Sequence, residues 1–124
     1  SMIKAILYVG LGGFVGSVGR YLIAVGLAKL DHQFPSGTLV ANLIGSFLIG
    51  FIIASSLRQS DSWKLLLVSG FCGGFTTFSA FSLENLKLIQ DGMFVNAIQY
   101  IAMSLIGGLL LVFLGYTFGT KLFG

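Results

Sequence analysis

The sequence predicts an all-α integral membrane protein with four transmembrane helices. Hydrophobic residues make up 56% of the 124 positions and charged residues only 9%, and the mean hydropathy is +0.97. A soluble domain of this length cannot bury so much apolar surface. The chain also contains only one proline, and several apolar stretches have the roughly 20 residues that a helix needs to cross a bilayer.

The four predicted spans form a single transmembrane domain, 1–124. The first, 3–28, contains one charge, Arg20, and is expected to be a helix of the mature chain, because no small-residue cleavage site follows it. The second, 37–57, is uncharged; the third, 63–90, is uncharged from 65 to 83; and the fourth, 93–120, is uncharged throughout. Connections this short leave no room for a soluble catalytic domain. We therefore expect neither an enzyme nor a nucleic-acid partner.

The basic residues predict how the chain inserts. With four spans, one side of the membrane receives Lys4, Arg58, Lys64 and Lys121, and the other receives Lys29 and Lys87, with Arg20 close to that side. The count of Lys and Arg in short loops normally sets orientation, and this difference is small. The sequence therefore predicts dual topology, with chains inserted in both orientations.

Small residues recur at helix-contact spacing in the first and fourth spans. Gly12 and Gly16 form one GxxxG motif, and Gly115 and Gly119 form another. Such motifs let helix backbones approach closely in lipid, either within the chain or with a second copy. Four helices rarely enclose a selective pore, so a pore would favour an oligomer. Cys72, the only cysteine, is expected to be a small core residue.

Two spans each carry a stripe of polar residues at a spacing of four, which places the members on one helix face. The stripes are Thr38, Asn42, Ser46 and Gly50 in the second span, and Asn96, Tyr100, Ser104 and Gly108 in the fourth. Polar side chains in a membrane usually face protein or a water-filled path. These neutral groups can donate hydrogen bonds to an anion without binding it too tightly. Hydrogen bonding between helices alone is the alternative.

The stretch GFCGGFTTFSAFS at 70–82 predicts a break in the third helix at Gly73–Thr77. Glycine pairs and β-branched threonines weaken a helix, and a broken helix is tolerated in lipid only where it is buried or lines a cavity. Such a break offers carbonyls to a cation and amide ends to an anion. Phe78 and Phe81 follow on one face, and their positive ring edges could touch a small anion. Ordinary core packing of the two rings is the alternative.

Three stretches together resemble one known family. They are GFCGGFTTFSAFSLE at 70–84, GTLVANLIGS at 37–46, and the arginine that follows GSVG in the first span. These features resemble the Fluc family of bacterial fluoride channels, also called CrcB proteins, in the order of all four spans. The resemblance implies a passive, fluoride-selective channel of the cytoplasmic membrane. It also implies an antiparallel, dual-topology homodimer with two pores.

The resemblance further implies roles for particular residues. The fluoride pore would be formed by Phe78, Phe81, Asn42, Tyr100 and Ser104, with a polar track of Ser79, Ser82 and Glu84. Backbone carbonyls of Gly73 and Thr76 would hold a structural sodium ion on the dimer axis. Arg20 would lie in a vestibule; without the resemblance, extension to lipid headgroups is an equal alternative. Ala80 and Gly108 depart from the family pattern, because each lacks a hydroxyl that relatives often carry there.

The main alternative is a small four-helix, proton-coupled multidrug antiporter. That class of transporter needs an acid inside the membrane, typically in its first helix. Here the first span carries Arg20, and the only acid near the interior of a span is Glu84 in the third. A purely structural membrane protein would have no reason to keep two polar stripes and a broken helix.

Overall fold

The fold was analysed in a computed structural model, which describes residues 1–29, 34–55 and 60–123. Its helices are α1 (Met2–Leu27), α2 (Ser36–Ser55), α3 (61–75), α4 (Phe78–Gln90) and α5 (Phe94–Phe123). Within these ranges, four helical stretches are long and apolar enough to cross a membrane, with α3 and α4 forming one of them. The predicted fold class is therefore confirmed. The predicted end of the second span and Arg58 lie outside the described residues.

The third span changes its helical geometry along its length. It begins as an α-helix over Asp61–Lys64, capped by the Ser60 hydroxyl, which accepts the N–H of Trp63 at 3.5 Å. It continues as a π-helix over Leu65–Cys72 and returns to α-geometry over Gly73–Phe75. π-Helical segments are rare and are often found at functional sites.

The break in the third span lies at two threonines. Thr76 has φ −93° and ψ 155°, and Thr77 has φ −150° and ψ 124°, so both are extended. The predicted break is thus confirmed, in the C-terminal part of the predicted interval. Gly73, with φ −62° and ψ −38°, remains helical. Thr77 then starts α4, because its hydroxyl accepts the N–H of Ala80 at 3.2 Å as an N-cap.

Glycines bring α1 against α3 at backbone distance. A Cβ added to Gly12 would lie 2.7 Å from the backbone nitrogen of Phe71, and one added to Gly16 would lie 2.8 Å from that of Phe75. On the opposite side, a Cβ at Gly74 would lie 2.6 Å from the carbonyl oxygen of Gly13. The predicted close approach at the first GxxxG motif is confirmed, and its partner is α3 of the same chain.

Glycines also bring α2 against α5 at backbone distance. A Cβ added to Gly115 would lie 3.1 Å from the backbone nitrogen of Phe51, and one added to Gly50 would lie 3.0 Å from that of Tyr116. The second predicted GxxxG contact is therefore confirmed as well. Contact positions rise together along the two helices of each pair, so the chain contains two parallel helix pairs, α1 with α3 and α2 with α5.

A small core lies where α2, α4 and α5 meet, at the end of the bundle that carries Phe34 and Met93. Its buried members are Leu39, Leu88, Ala97 and Tyr100. Cys72 is also buried, as expected of a small core residue. Many large apolar side chains on the outside are exposed, including Leu7, Phe14 and Leu109. Such a surface suits a lipid solvent rather than water.

Candidate functional site

The break opens a cavity of about 380 Å³ between α2, α3, α4 and α5. We call it the break cavity. It is lined by six residues that the sequence singled out for the pore or the cation, namely Asn42, Gly73, Thr76, Phe78, Phe81 and Ser104. None of its lining residues is charged. The cavity therefore combines backbone and side-chain dipoles with aromatic rings in an otherwise apolar wall.

Asn42 binds the backbone of the break from the neighbouring helix α2. Its Oδ1 accepts the N–H of Thr77 at 2.8 Å, and its Nδ2 donates to the carbonyl oxygen of Thr77 at 3.1 Å. An extended residue inside a membrane would otherwise leave both groups without a partner. One amide side chain therefore satisfies both backbone groups of Thr77 and fixes the position at which α4 begins.

The same hydrogen bonds free two carbonyls. In a continuous helix, the N–H of Thr77 would donate to the carbonyl of Gly73, and the N–H of Ala80 would donate to that of Thr76. Here these two N–H groups donate instead to Asn42 Oδ1 and to Thr77 Oγ1. The carbonyls of Gly73 and Thr76, the two residues predicted to hold a cation, are thus among those that lose their helical donors at the break.

Arg20 reaches the last turn of α3 from α1. Its Nε donates to the carbonyl oxygen of Gly74 at 3.3 Å, and the Ser17 hydroxyl donates to the same oxygen at 3.5 Å. A positive charge at the C-terminal end of a helix also interacts favourably with the helix dipole. Arg20 is half-buried against the break.

Three aromatic rings form a row from the break towards the core. The centroids of Phe78 and Phe81 are 5.7 Å apart with planes at 38°, and those of Phe81 and Tyr100 are 5.0 Å apart with planes at 58°. Tyr100 is fully buried, whereas Phe78 is 78% exposed. A phenyl ring so exposed beside the break cavity presents much of its edge and face to whatever fills the surrounding space.

Glu84 is held by hydroxyl donors from two other helices. Thr38 of α2 donates to Oε2 at 3.0 Å, and Tyr100 of α5 donates to Oε1 at 2.9 Å. Glu84 does not line the break cavity; it lines two further cavities, of about 220 and 440 Å³, beside Phe34 and Pro35. The carboxylate thus lies closer than the break to the end of the bundle that carries Phe34 and Pro35.

The remaining predicted hydroxyls differ in what they contact. Ser79 is exposed and lies 3.2 Å from Thr77 Oγ1, and Ser82 is exposed and donates to the carbonyl of Phe78 at 3.0 Å. Neither residue lines the break cavity. Ser104 lines it, and its buried hydroxyl has no hydrogen-bond partner among the described residues.

Sequence reasoning missed two contributors to this arrangement. Thr77 was placed in the break, yet its double contact with Asn42 follows only from the packing of α2 against it. Thr38 was placed on a polar stripe without a partner. The spacing of four between Thr38 and Asn42 was the available signal, because it puts both side chains on the face of α2 that meets the third span.

Comparison with known proteins gives a consistent picture. The sequence model of the CrcB-like protein family, described as Camphor Resistance (CrcB), matches residues 7–116. A protein of Chlorobium chlorochromatii named fluoride-specific ion channel FluC is 50% identical over 113 residues, which cover 89% of this chain and 88% of the relative. Proteins of the same name from Leptospira interrogans and Methanocaldococcus jannaschii are 45% and 40% identical, over 90% and 98% of this chain and 91% and 99% of the relatives.

Proposed function

The chain belongs to the CrcB-like protein family, and we propose that it is a multi-pass membrane channel that conducts fluoride passively and selectively. The break cavity carries this proposal. Its lining is uncharged and combines the Asn42 amide, the Ser104 hydroxyl and the rings of Phe78 and Phe81. In a bacterial cell such a channel would lie in the cytoplasmic membrane and would let fluoride leave down its gradient.

Fluoride is a small anion and a strong hydrogen-bond acceptor, so its hydration shell must be replaced group by group. Neutral donors can replace water and still release the ion, which a full positive charge in the path would hold. The edges of Phe78 and Phe81 carry partial positive charge and add further contacts. Ser104, whose hydroxyl has no hydrogen-bond partner among the described residues, supplies a donor on the α5 side.

Polar groups near the cavity extend the proposed path. Glu84 and its two hydroxyl partners lie towards the end of the bundle that carries Phe34. Ser79 and Ser82 lie on the exposed side of α4. Arg20 lies in a vestibule near the break and raises the local concentration of anions. Its hydrogen bond to Gly74 orients the guanidinium towards the third span rather than towards headgroups.

The conducting unit is a homodimer of antiparallel copies with two pores. Support comes from the exposure of Phe78 beside the break, since a ring that contacts fluoride must be shielded from lipid by another protein surface. The small difference in Lys and Arg between the two sides supports insertion in both orientations.

A structural sodium ion fits the freed carbonyls. Neutral oxygen atoms suit a hard cation, and Gly73 and Thr76 each offer a carbonyl whose helical donor is bonded elsewhere. One chain offers two such ligands, so a second copy would complete the set. When bound, the cation supplies positive charge that lowers the cost of nearby anions. The residues themselves hold the two carbonyls in place through Asn42 and the Thr77 cap.

No finding favours the proton-coupled drug antiporter. The acid that such a mechanism would use is Glu84, and both of its oxygens accept hydrogen bonds from hydroxyl groups of this chain.

The test is fluoride efflux from liposomes that contain the purified protein, read with a fluoride electrode beside a chloride electrode. We expect rapid fluoride release and negligible chloride release, with no proton gradient and no nucleotide. Retention of fluoride, or equal release of both anions, would contradict the proposal. Terminal tags assayed from both sides of the membrane in cells test dual topology; one orientation only would contradict it.

A further inference from the structure

Ser46 is a polar residue of α2 that also lines the break cavity. It lies one helical turn after Asn42, so both side chains leave the same face of α2. Asn42 uses its amide on the backbone of Thr77. The next polar group along this wall of the cavity is therefore the Ser46 hydroxyl.

The Ser46 hydroxyl is not used by its own helix. Hydroxyls inside helices often donate to a carbonyl three or four residues earlier, as Thr76 does to Cys72 at 2.9 Å and Ser82 does to Phe78 at 3.0 Å. Within the ranges 1–29, 34–55 and 60–123, the Ser46 hydroxyl has no such partner. Its O–H is therefore available to a ligand in the cavity.

A glycine on α5 faces this hydroxyl. A Cβ added to Gly108 would lie 3.4 Å from Ser46 Oγ, which is van der Waals contact. Position 108 thus contributes no side chain at this level. One turn earlier on α5, Ser104 lines the same cavity with a buried hydroxyl that has no partner in the described part of the chain.

We infer that Ser46 is a fluoride-contacting residue, and that it supplies the hydroxyl donor at the level where α5 carries Gly108. The inference rests on the proposed channel function. Fluoride in the break cavity accepts a hydrogen bond from Ser46 on α2 and another from Ser104 on α5. Two hydroxyls on facing helices favour a small, strongly accepting anion over a larger and weaker acceptor such as chloride.

The experiment compares fluoride efflux from liposomes for the wild type, Ser46→Ala, Gly108→Ser and the double variant Ser46→Ala/Gly108→Ser. Ser55→Ala is the matched control, because Ser55 lies on the same helix, donates to the carbonyl of Ile52 at 2.8 Å and does not line the cavity. Size-exclusion chromatography in detergent checks that each variant is folded.

We expect Ser46→Ala to slow fluoride efflux at least tenfold, because it removes a hydrogen bond to a charged ion; a tenfold change corresponds to about 1.4 kcal/mol in the barrier. In the double variant, the new hydroxyl enters the same space from α5, and we expect most of the lost rate to return. Ser55→Ala should stay near the wild-type rate.

A wild-type rate in Ser46→Ala would overturn the inference and leave the channel function intact. A slow double variant, when Gly108→Ser alone conducts normally, would also overturn it, because the role of Ser46 would then be packing rather than donation. A wild type that releases no fluoride would instead overturn the channel function, and the inference with it.

Discussion

The two halves of the third span are held in different ways. α3 packs on α1 through backbone contacts at glycines such as Gly16 and Gly74. α4 is attached through side chains, by Glu84 to hydroxyls of α2 and α5 and by Phe81 to the ring of Tyr100. The first half therefore behaves as a scaffold that leaves no room for a side chain at Gly70 or Gly74. The second half carries the predicted anion contacts on groups that substitution can alter one at a time.

Gly74→Ala should have the largest effect, because it breaks the scaffold side of this comparison. The new Cβ would lie 2.6 Å from the carbonyl oxygen of Gly13, and backbone cannot move aside as a side chain can. We expect the free energy of unfolding to fall by about 3 kcal/mol, the upper part of the usual range for overpacking. Unfolding in mixed detergent micelles measures it.

The matched control is Gly10→Ala on α1, where an added Cβ meets nothing within 4 Å. Alanine is the better helix former, so this variant should be as stable as the wild type or slightly more so. Equal stability of Gly74→Ala and Gly10→Ala would show that the backbone contact does not limit the fold.

Asn42→Ala should have the next largest effect, because Asn42 joins the two regions at the break. It would remove both partners of the Thr77 backbone, and each buried group left without a partner costs about 1–3 kcal/mol. We expect a loss of about 2 kcal/mol in the free energy of unfolding together with loss of fluoride efflux. Asn96→Ala, on the predicted stripe of α5, is the control and should behave as the wild type. A stable, conducting Asn42→Ala variant would show that the two hydrogen bonds from Asn42 to Thr77 do not hold the break in place.

Phe78→Ile tests the other side of the comparison, where a side chain affects conduction more than folding. Isoleucine keeps the apolar surface and loses the ring edge. We expect fluoride efflux to fall about tenfold, which corresponds to about 1.4 kcal/mol in the barrier, while the proposed dimer still assembles. Phe81→Ile should act likewise. Phe14→Ile, at an equally exposed position on α1, is the control. Wild-type efflux in both Phe78→Ile and Phe81→Ile would show that the two rings do not contact the permeating fluoride.

The sequence predicted the elements of both regions better than their contacts. Span positions follow from long apolar runs, and GxxxG spacing predicted that Gly12 and Gly16 allow close approach, but spacing names no partner. The break was placed over Gly73–Thr77 because glycines and β-branched threonines weaken helices. In the fold, both glycines stay helical and Gly74 packs against α1. The extended conformation lies at the threonines, where the Asn42 amide stabilises Thr77.

The candidate site shows the same limit. Motif position brought Asn42, Phe78, Phe81 and Ser104 together, and they do share the break cavity. It could not separate hydroxyls that are free from those that are already bonded. Whether a helical serine donates to its own backbone depends on its rotamer and on the facing helix, and neither is encoded in the spacing of residues.

Tyr100→Phe should have the smallest effect of the four substitutions. It separates the hydrogen bond to Glu84 from the ring contact with Phe81, the two contacts by which Tyr100 holds α4. Phenylalanine keeps the ring contact with Phe81 and removes only the hydrogen bond to Glu84, which leaves the bond from Thr38 in place. A hydrogen bond to a charged group contributes about 1.5–3 kcal/mol. Because Thr38 still holds Glu84, we expect only part of this to reach the conduction barrier, and a fewfold slower efflux with the fold intact.

Tyr116→Phe is the control for Tyr100→Phe, because Tyr116 lies on the same helix and is exposed. Thr38→Val removes the other donor, and combining it with Tyr100→Phe completes a double-mutant cycle on the efflux rate. If both hydroxyls act by orienting one carboxylate, the second removal costs more than the first, because Glu84 then loses its last donor. Strict additivity would mean that the two hydroxyls act independently and do not share the orientation of Glu84.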